Sequence, residues 1–373
     1  YQEQLTNLGI KTARLLPNDS AFDNYIGGYQ PELVIFDRFM IEEQFGWRVR
    51  AICPNAARIL DTIDLHSVRR AREQGLQNVR DKQDISSLVP SATKTILSSP
   101  DTLRELSAIY RSDLTFVISD YEQRLLRDHY NIPRELIRLC RFCYSSPSKG
   151  APFAARRNFV TIGNFNHAPN RDAFTLLNER LWKEIRSRLP QEEGSAPELH
   201  IYGAYPTEQF LKLDNPKTGF RVKGWAKDVG ETLGQYRVNL APLRFGAGIK
   251  GKVSDGWQVG TPCAATSIAA EGMYEDFEFG GMVGDSVELF IEQARRLYTD
   301  QALWERSQIN GIRIIQEIFN GDKNTERFLL DLESSQIRLN EKREQNFVGE
   351  MLWHHQNRST EYFSRWIEEK NRT

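Results

Sequence analysis

Residues 241–257, APLRFGAGIKGKVSDGW, concentrate the side chains best suited to hold a diphosphate. A strand pattern runs into a loop with Gly246, Gly248 and Gly251 and then into a helix pattern. Unhindered backbone amides and a helix N-terminus therefore converge with Arg244, Lys250 and Lys252. The alternative is a solvated basic turn whose glycines serve only its geometry, but a place after a strand of an α/β domain favours the ligand site. Neither GKS nor GKT follows, so the spacing is not that of a P-loop. Asp255 falls one helical turn past Lys252, where a carboxylate can accept hydrogen bonds from a ribose diol or pair with Lys252. Glu271 and Gly272 lie after the next strand pattern, and Glu271 either meets substrate or caps a helix.

A second group lies nearer the start. ILDTIDLHS places Asp61, Asp64 and His66 at the end of a strand pattern, with Asp64 alternatively a cap for the helix that follows. Asp37 and Arg38 in VIFDRF also follow a strand, where they face an acceptor or form a plain ion pair. His200 alternates within a strand, and His354 and His355 sit on a charged terminal helix, so these histidines read as structural. Cys140 and Cys143 make the only CxxC, without a second ligand pair at metal spacing. They are expected to be two buried thiols in a strand, with no structural zinc and no other metal. Four cysteines in all suit a reducing compartment, and the cytoplasm is the expected location. The sequons at Asn18, Asn357 and Asn371 matter only in a secreted protein.

Such loops need a rigid frame, and the chain shows two. Short apolar runs alternate with helical patterns, the form taken by parallel sheets wrapped in helices. Strands are expected at 12–16, 33–36, 58–62, 114–118 and 136–141, with helices at 40–51 and 102–110. After the breaker-rich linker SSPSKGAP, residues 145–152, the pattern restarts. Strands are then expected at 158–163, 198–203, 219–224, 238–243 and 261–266, with helices at 170–188, after Lys250 and from Ser286 onward. The expected division is an α/β domain over 1–147, a second over 148–321 and a helical extension over 322–373. Open parallel sheets bind ligands at the carboxyl ends of their strands, so function is expected in a cleft between the domains. The extension carries Phe347, Met351, Trp353, Tyr362, Phe363 and Trp366, expected to be buried on the first domain, the alternative being a free helix used for dimerisation.

Charge and hydropathy narrow the function classes. The 373 residues include 49 basic and 50 acidic side chains, a net charge of -1, which gives no reason to expect nucleic acid as a partner. No run approaches the roughly 18 apolar residues that a membrane helix needs. The sequence opens at Tyr1 without a methionine, so a missing native start is expected.

PLRFGAGIKGKVSDGWQVGTP followed by AAEGM resembles the donor-site signature of glycosyltransferase family 4, retaining enzymes of the GT-B fold. IGNFNHAPNRDAFTLLNERLWKEIR resembles the opening strand and helix of the donor domain in one branch of that family. ELHIYGAYP, FRVKGWAKDV and, more weakly, ILDTIDLHS and VISDYEQRLL extend the resemblance from about Leu33 to Phe319. It implies two doubly wound Rossmann-like domains facing a cleft. It also implies Gly163 and Asn164 beside the donor, and Val222 to Trp225 near the base. Lys250, with Arg244 or Lys252, would neutralise the diphosphate, Asp255 would hold the ribose, and Asp64 or His66 would meet the donor sugar. Two departures stand out: the family usually has glutamate at Asp255, and many members have another eight positions earlier, where this chain has Ala247. Gly256 also replaces a usual alanine, at a helix cost of about 1 kcal/mol.

The resemblance and the basic loop together lead to the expectation of a retaining, metal-independent hexosyltransferase. Its co-substrate would be a nucleotide diphosphate sugar, UDP favoured over GDP, with no separate cofactor. The acceptor, a glycan, protein or small molecule, would sit on the first domain. Two other readings stay open: a catalytically silent GT-B module that binds a nucleotide-sugar or a protein partner, and a sugar-nucleotide epimerase.

Overall fold

Two parallel sheets, each covered on both faces, hold the apolar runs in the computed structural model. It describes residues 2–78, 99–190 and 196–372, without the side chains of 355–358 and 372. The first sheet has the order β1-β2-β3-β4, from Leu33–Asp37, Ala57–Asp61, Leu114–Val117 and Ile137–Leu139. The second has the order β10-β9-β8-β5-β6-β7. Its strands, in chain order from β5 to β10, are Arg157–Ile162, Leu199–Tyr202, Phe220–Gly224, Tyr236–Ala241, Cys263–Ala265 and Gly281–Val283. Every ladder is parallel. Strands covered on both faces read as nearly continuous apolar runs, and β3 and β8 are buried along their whole length.

The longer helices are α1 (Ala21–Tyr29), α2 (Phe39–Ile52), α3 (His66–Asn78), α4 (Pro100–Arg111), α5 (Ala168–Leu176), α6 (Gly251–Gln258), α7 (Val287–Thr299), α8 (Gln301–Glu317), α9 (Gly321–Gln336) and α10 (Phe347–Arg372). Phe36, Val49, Leu60, Ile109 and Val117 form one core of the first sheet, while Ile59, Leu114 and Phe116 face Phe328 and Leu332 on the other side. In the second domain Phe159, Phe174, Leu199 and Phe290 fill one core and Trp257, Ala265, Ile314 and Phe319 another. β5 lies between β8 and β6, so the winding reverses there and opens the crevice in which such sheets bind ligands.

Several expectations change. Residues 12–16 form no strand; they run over the surface, and among the described residues β1 pairs only with β2. The expected helix over 170–188 is interrupted by a π turn at Leu177–Leu181, and the short edge strand β10 was unforeseen. β4 ends at Leu139, where the chain leaves the sheet, so Cys140 is only half-buried and Cys143 is exposed. Burial still pushes the Cys140 thiol up to about 12. No described helix is long and apolar enough to cross a membrane.

The chain passes between the sheets twice. Arg156 fixes the first crossing to the second domain by donating to the carbonyls of Lys149, Ala151 and Val259 at 2.8 Å each. The second crossing, near Asn320, runs beside the first at Tyr144. Beyond it α10 packs on α4 and α2 of the first domain. Of its large apolar side chains only Trp353 is buried; Phe347, Met351, Tyr362, Phe363 and Trp366 are exposed, contrary to expectation. The reason is the geometry of the contact. A Cβ on Gly349 would stand 2.3 Å from the Tyr110 carbonyl oxygen, and Ser364, also buried, bonds Asn18 at 2.6 Å. Small residues bring the helix close, Trp353 fills the gap, and the remaining aromatics fall on the outer face.

Candidate donor site and its closed cleft

The carboxyl ends of β5, β6, β7 and β8 open on a cavity of about 410 Å³, within the range of small-molecule sites. Gly163, Asn164 and Asn170 line it from the β5 side, Trp225 and Ala226 from the β7 side, and Gly246, Ala247, Lys250, Lys252 and Asp255 from the loop and helix after β8. Gly251 and Lys252, the first residues of α6, line this space. Two-thirds of the Trp225 surface is exposed, leaving an aromatic face open to the cavity.

Both ammonium groups are buried, and each is held by a neutral oxygen. Lys250 Nζ donates to the Gly248 carbonyl at 2.7 Å and stands 3.9 Å from Glu271; Lys252 Nζ donates to Asn170 Oδ1 at 2.7 Å. Burial pulls each down to about 8. A diphosphate favours the charged forms, so between about pH 7 and 8 the lysines should change its affinity little, while above about pH 8 each lysine must take up a proton on binding. Between pH 7 and 9 affinity is expected to fall by about tenfold for each lysine that must be charged. Calorimetry in buffers of different ionisation enthalpy measures both the fall and the proton uptake, and a level profile with no uptake would refute it.

Other anticipated residues have partners of their own. Arg244 is paired with Asp172, its Nε 2.8 Å from Oδ2, and does not reach the cavity. Val222 turns toward the core beneath the sheet. Asp255 lines the cavity and does not pair with Lys252; its Oδ1 accepts from the Tyr144 hydroxyl at 2.6 Å. Glu271 caps no helix N-terminus: it receives both Nη groups of Arg72 at 2.8 Å each, and Arg72 also donates to the Gly246 carbonyl at 2.8 Å. This buried arginine comes from α3 in the other domain, so the pair spans the cleft.

More contacts close the cleft around that pair. Gly248, at φ 62°, takes the left-handed backbone, and a Cβ there would stand 2.9 Å from Asp64 Cβ. Its N–H donates to Glu122 Oε1 at 3.0 Å, and the same carboxylate accepts from Leu65 N at 2.9 Å. Burial pushes Glu122 up to about 7. Gly272 packs against Ser119. Asp64 forms an ion pair with Arg69 and lies 3.5 Å from His66 Nε2. The imidazole is buried, with its basicity pulled down to about 4 chiefly by that burial, so it is neutral at pH 7. Glu105 of α4 accepts from the backbone N–H groups of His66 at 2.6 Å and Ser67 at 3.1 Å and so caps α3. Asp64 and His66 therefore sit beside the glycine-rich basic loop without lining the cavity.

Asp37, the last residue of β1, and Arg38 form an exposed pair at 2.8 Å. Arg38, at φ 70°, and Ile63, at φ 60°, hold backbone conformations that cost side-chain-bearing residues about 1–3 kcal/mol each. Both follow first-domain strands at the edge of the cleft. Sequence reasoning missed Arg72, Glu122 and Tyr144, because each acts on residues more than a hundred positions away. Asn170 was legible only as part of the loop and helix after β5. Among the described residues no group of His, Cys, Asp and Glu side chains is placed to hold a metal ion.

Residues 156–300 match the family of glycosyl transferases group 1, a span that includes the whole second sheet and the basic loop. Over nearly the whole chain the architecture matches solved structures. HepE from Anabaena, in complex with UDP and glucose, superposes with a TM-score of 0.62 at 11% identity, covering 89% of this chain and 89% of that one. The fold is that of the GT-B glycosyltransferases. A glycosyltransferase from Rickettsia africae gives a TM-score of 0.60 at 11% identity, with 89% of this chain and 87% of that one covered. A TarM mutant from S. aureus, in a complex that includes UDP, gives 0.60 at 13% identity over 83% of this chain. The matched part spans 58% of the length of that TarM chain. No curated protein matches the chain by sequence. The cavity lies where the second sheet reverses.

Proposed function

We propose that the chain is a glycosyltransferase that takes a nucleotide diphosphate sugar in the cavity after β5 and β8 and an acceptor at the first-domain edge near Asp37 and Arg38. The observation that carries this reading is the convergence of Lys250, Lys252 and the α6 N-terminus on one cavity, with Asp255 one turn further along. The bond from the anomeric carbon to the diphosphate breaks, the acceptor oxygen takes its place, and the acceptor proton leaves with the diphosphate. Charge then builds on the phosphate oxygens, where two ammonium groups and oriented amides stabilise it. UDP is favoured because it is the nucleotide held in the HepE and TarM complexes. Retention rests on the family resemblance. The strained backbone at Arg38 and Ile63 supports an acceptor site there, since such strain gathers in functional loops.

A panel of UDP-sugars and GDP-sugars, assayed for released nucleoside diphosphate and for product, tests the reading. Tight binding without turnover would mark a silent nucleotide-sugar module, and an epimerised sugar nucleotide would mark an epimerase. Because protein cations face the leaving group, turnover is expected to survive EDTA. Loss of activity on chelation, restored by manganese or magnesium, would overturn that expectation.

A further inference from the structure

Tyr144 belongs to both crossings between the domains. Its N–H donates to the Phe319 carbonyl at 2.9 Å, and its own carbonyl accepts from Gly321 N at 2.8 Å, which ties the two passages side by side. The ring meets Phe142 and Phe319 edge-on, with centroids 6.2 and 6.3 Å away. Backbone and ring are thus both fixed, and the hydroxyl is delivered to one place. It lies 2.6 Å from Asp255 Oδ1 and 2.9 Å from Ser254 Oγ. Burial and the neighbouring Asp255 push the phenol up, so it stays protonated and donates.

Asp255 lines the cavity with a side chain one methylene shorter than the glutamate its resemblance family uses. A short carboxylate on a helix has little reach, and its usefulness depends on which way its oxygens face. We infer that Tyr144 is a positioning residue for the nucleotide ribose, engaging Oδ1 of Asp255 so that Oδ2 is left to accept from the ribose hydroxyls. This rests on the donor site proposed above. It makes a residue of the crossing between the domains, outside the cavity, part of what distinguishes a ribonucleotide from its deoxy analogue.

Calorimetry with UDP and 2′,3′-dideoxy-UDP, and with the matching GDP pair, tests it on the full chain. The wild type should prefer the ribonucleotide. Tyr144→Phe should lower affinity for the ribonucleotide by about tenfold, the scale of a hydrogen bond to a charged group, and leave the dideoxy affinity unchanged. Asp255→Ala should abolish the preference, and adding Tyr144→Phe to it should change nothing more. If Tyr144→Phe keeps the wild-type preference, or weakens both nucleotides alike, Tyr144 is only structural and the inference fails while the donor site stands. A wild type that binds the ribo and dideoxy forms equally removes the ribose role of Asp255 and the inference with it. No binding of either diphosphate by the wild type would overturn the donor site itself.

Discussion

Trp353→Ala should destabilise the first domain by about 3–5 kcal/mol, the range for removing a large buried ring whose cavity cannot fully collapse. The indole is only 4% exposed, and its Nε1 donates to the Arg111 carbonyl at 3.1 Å. Three guanidinium groups, from Arg50, Arg58 and Arg111, lie 5.0, 5.0 and 5.8 Å from the ring centre. They gain from the ring face and are held in place by their own carboxylates, Glu350, Asp113 and Glu42. Truncation removes the packing and also admits water to two buried ion pairs, Glu42–Arg111 and Arg58–Asp113. Phe363→Ala provides the contrast. That ring is 61% exposed and stacks mainly on Trp366, so its loss should stay within about 0.5 kcal/mol. Chemical denaturation of both variants measures the difference, and equal losses would show that the helix is held by its outer aromatics after all.

That contrast shows where sequence was a good guide and where it was not. Strands β5 and β8 were legible because strands covered on both faces must be apolar nearly throughout, and the boundaries at Gly163 and Leu243 came within a few residues. The basic loop was legible because its chemistry is local: glycines, two lysines and a helix start within a dozen residues. The face of α10 was not legible. Period and composition marked five other bulky residues beside Trp353, but docking depends on how closely two backbones approach, and Gly349 and Ser364 carry no apolar signal. Arg244 shows the same failure in the basic loop, where Asp172, well before it in the chain, claims a cation that the local pattern assigned to phosphate. Glu271 shows it across domains. Its partner, Arg72, lies on a helix whose sequence says only that it is charged. Pairings made by the fold over long separations leave no spacing to read.

Lys250→Met should weaken nucleoside diphosphate binding by about 1.5–3 kcal/mol, the value of a hydrogen bond to a charged partner. The case for Lys250 over Arg244 is geometric: the arginine is spent on Asp172 and does not line the cavity, whereas Lys250 does, and its ammonium donates to a neutral carbonyl. That carbonyl is easily given up for a diphosphate oxygen. Methionine keeps much of the buried stem and so limits any change in packing. Glu271 is not stranded by the substitution, because both its oxygens already accept from Arg72. Burial also holds the ammonium below its usual basicity, so removing it relieves a desolvation cost in the free protein. Thermal stability should therefore change little while affinity drops by roughly ten- to a hundredfold. Calorimetry with UDP and GDP, paired with a melting curve, separates the two effects. Wild-type affinity in Lys250→Met would move the phosphate site away from the start of α6, and a collapsed melting transition would make the lysine a structural residue instead.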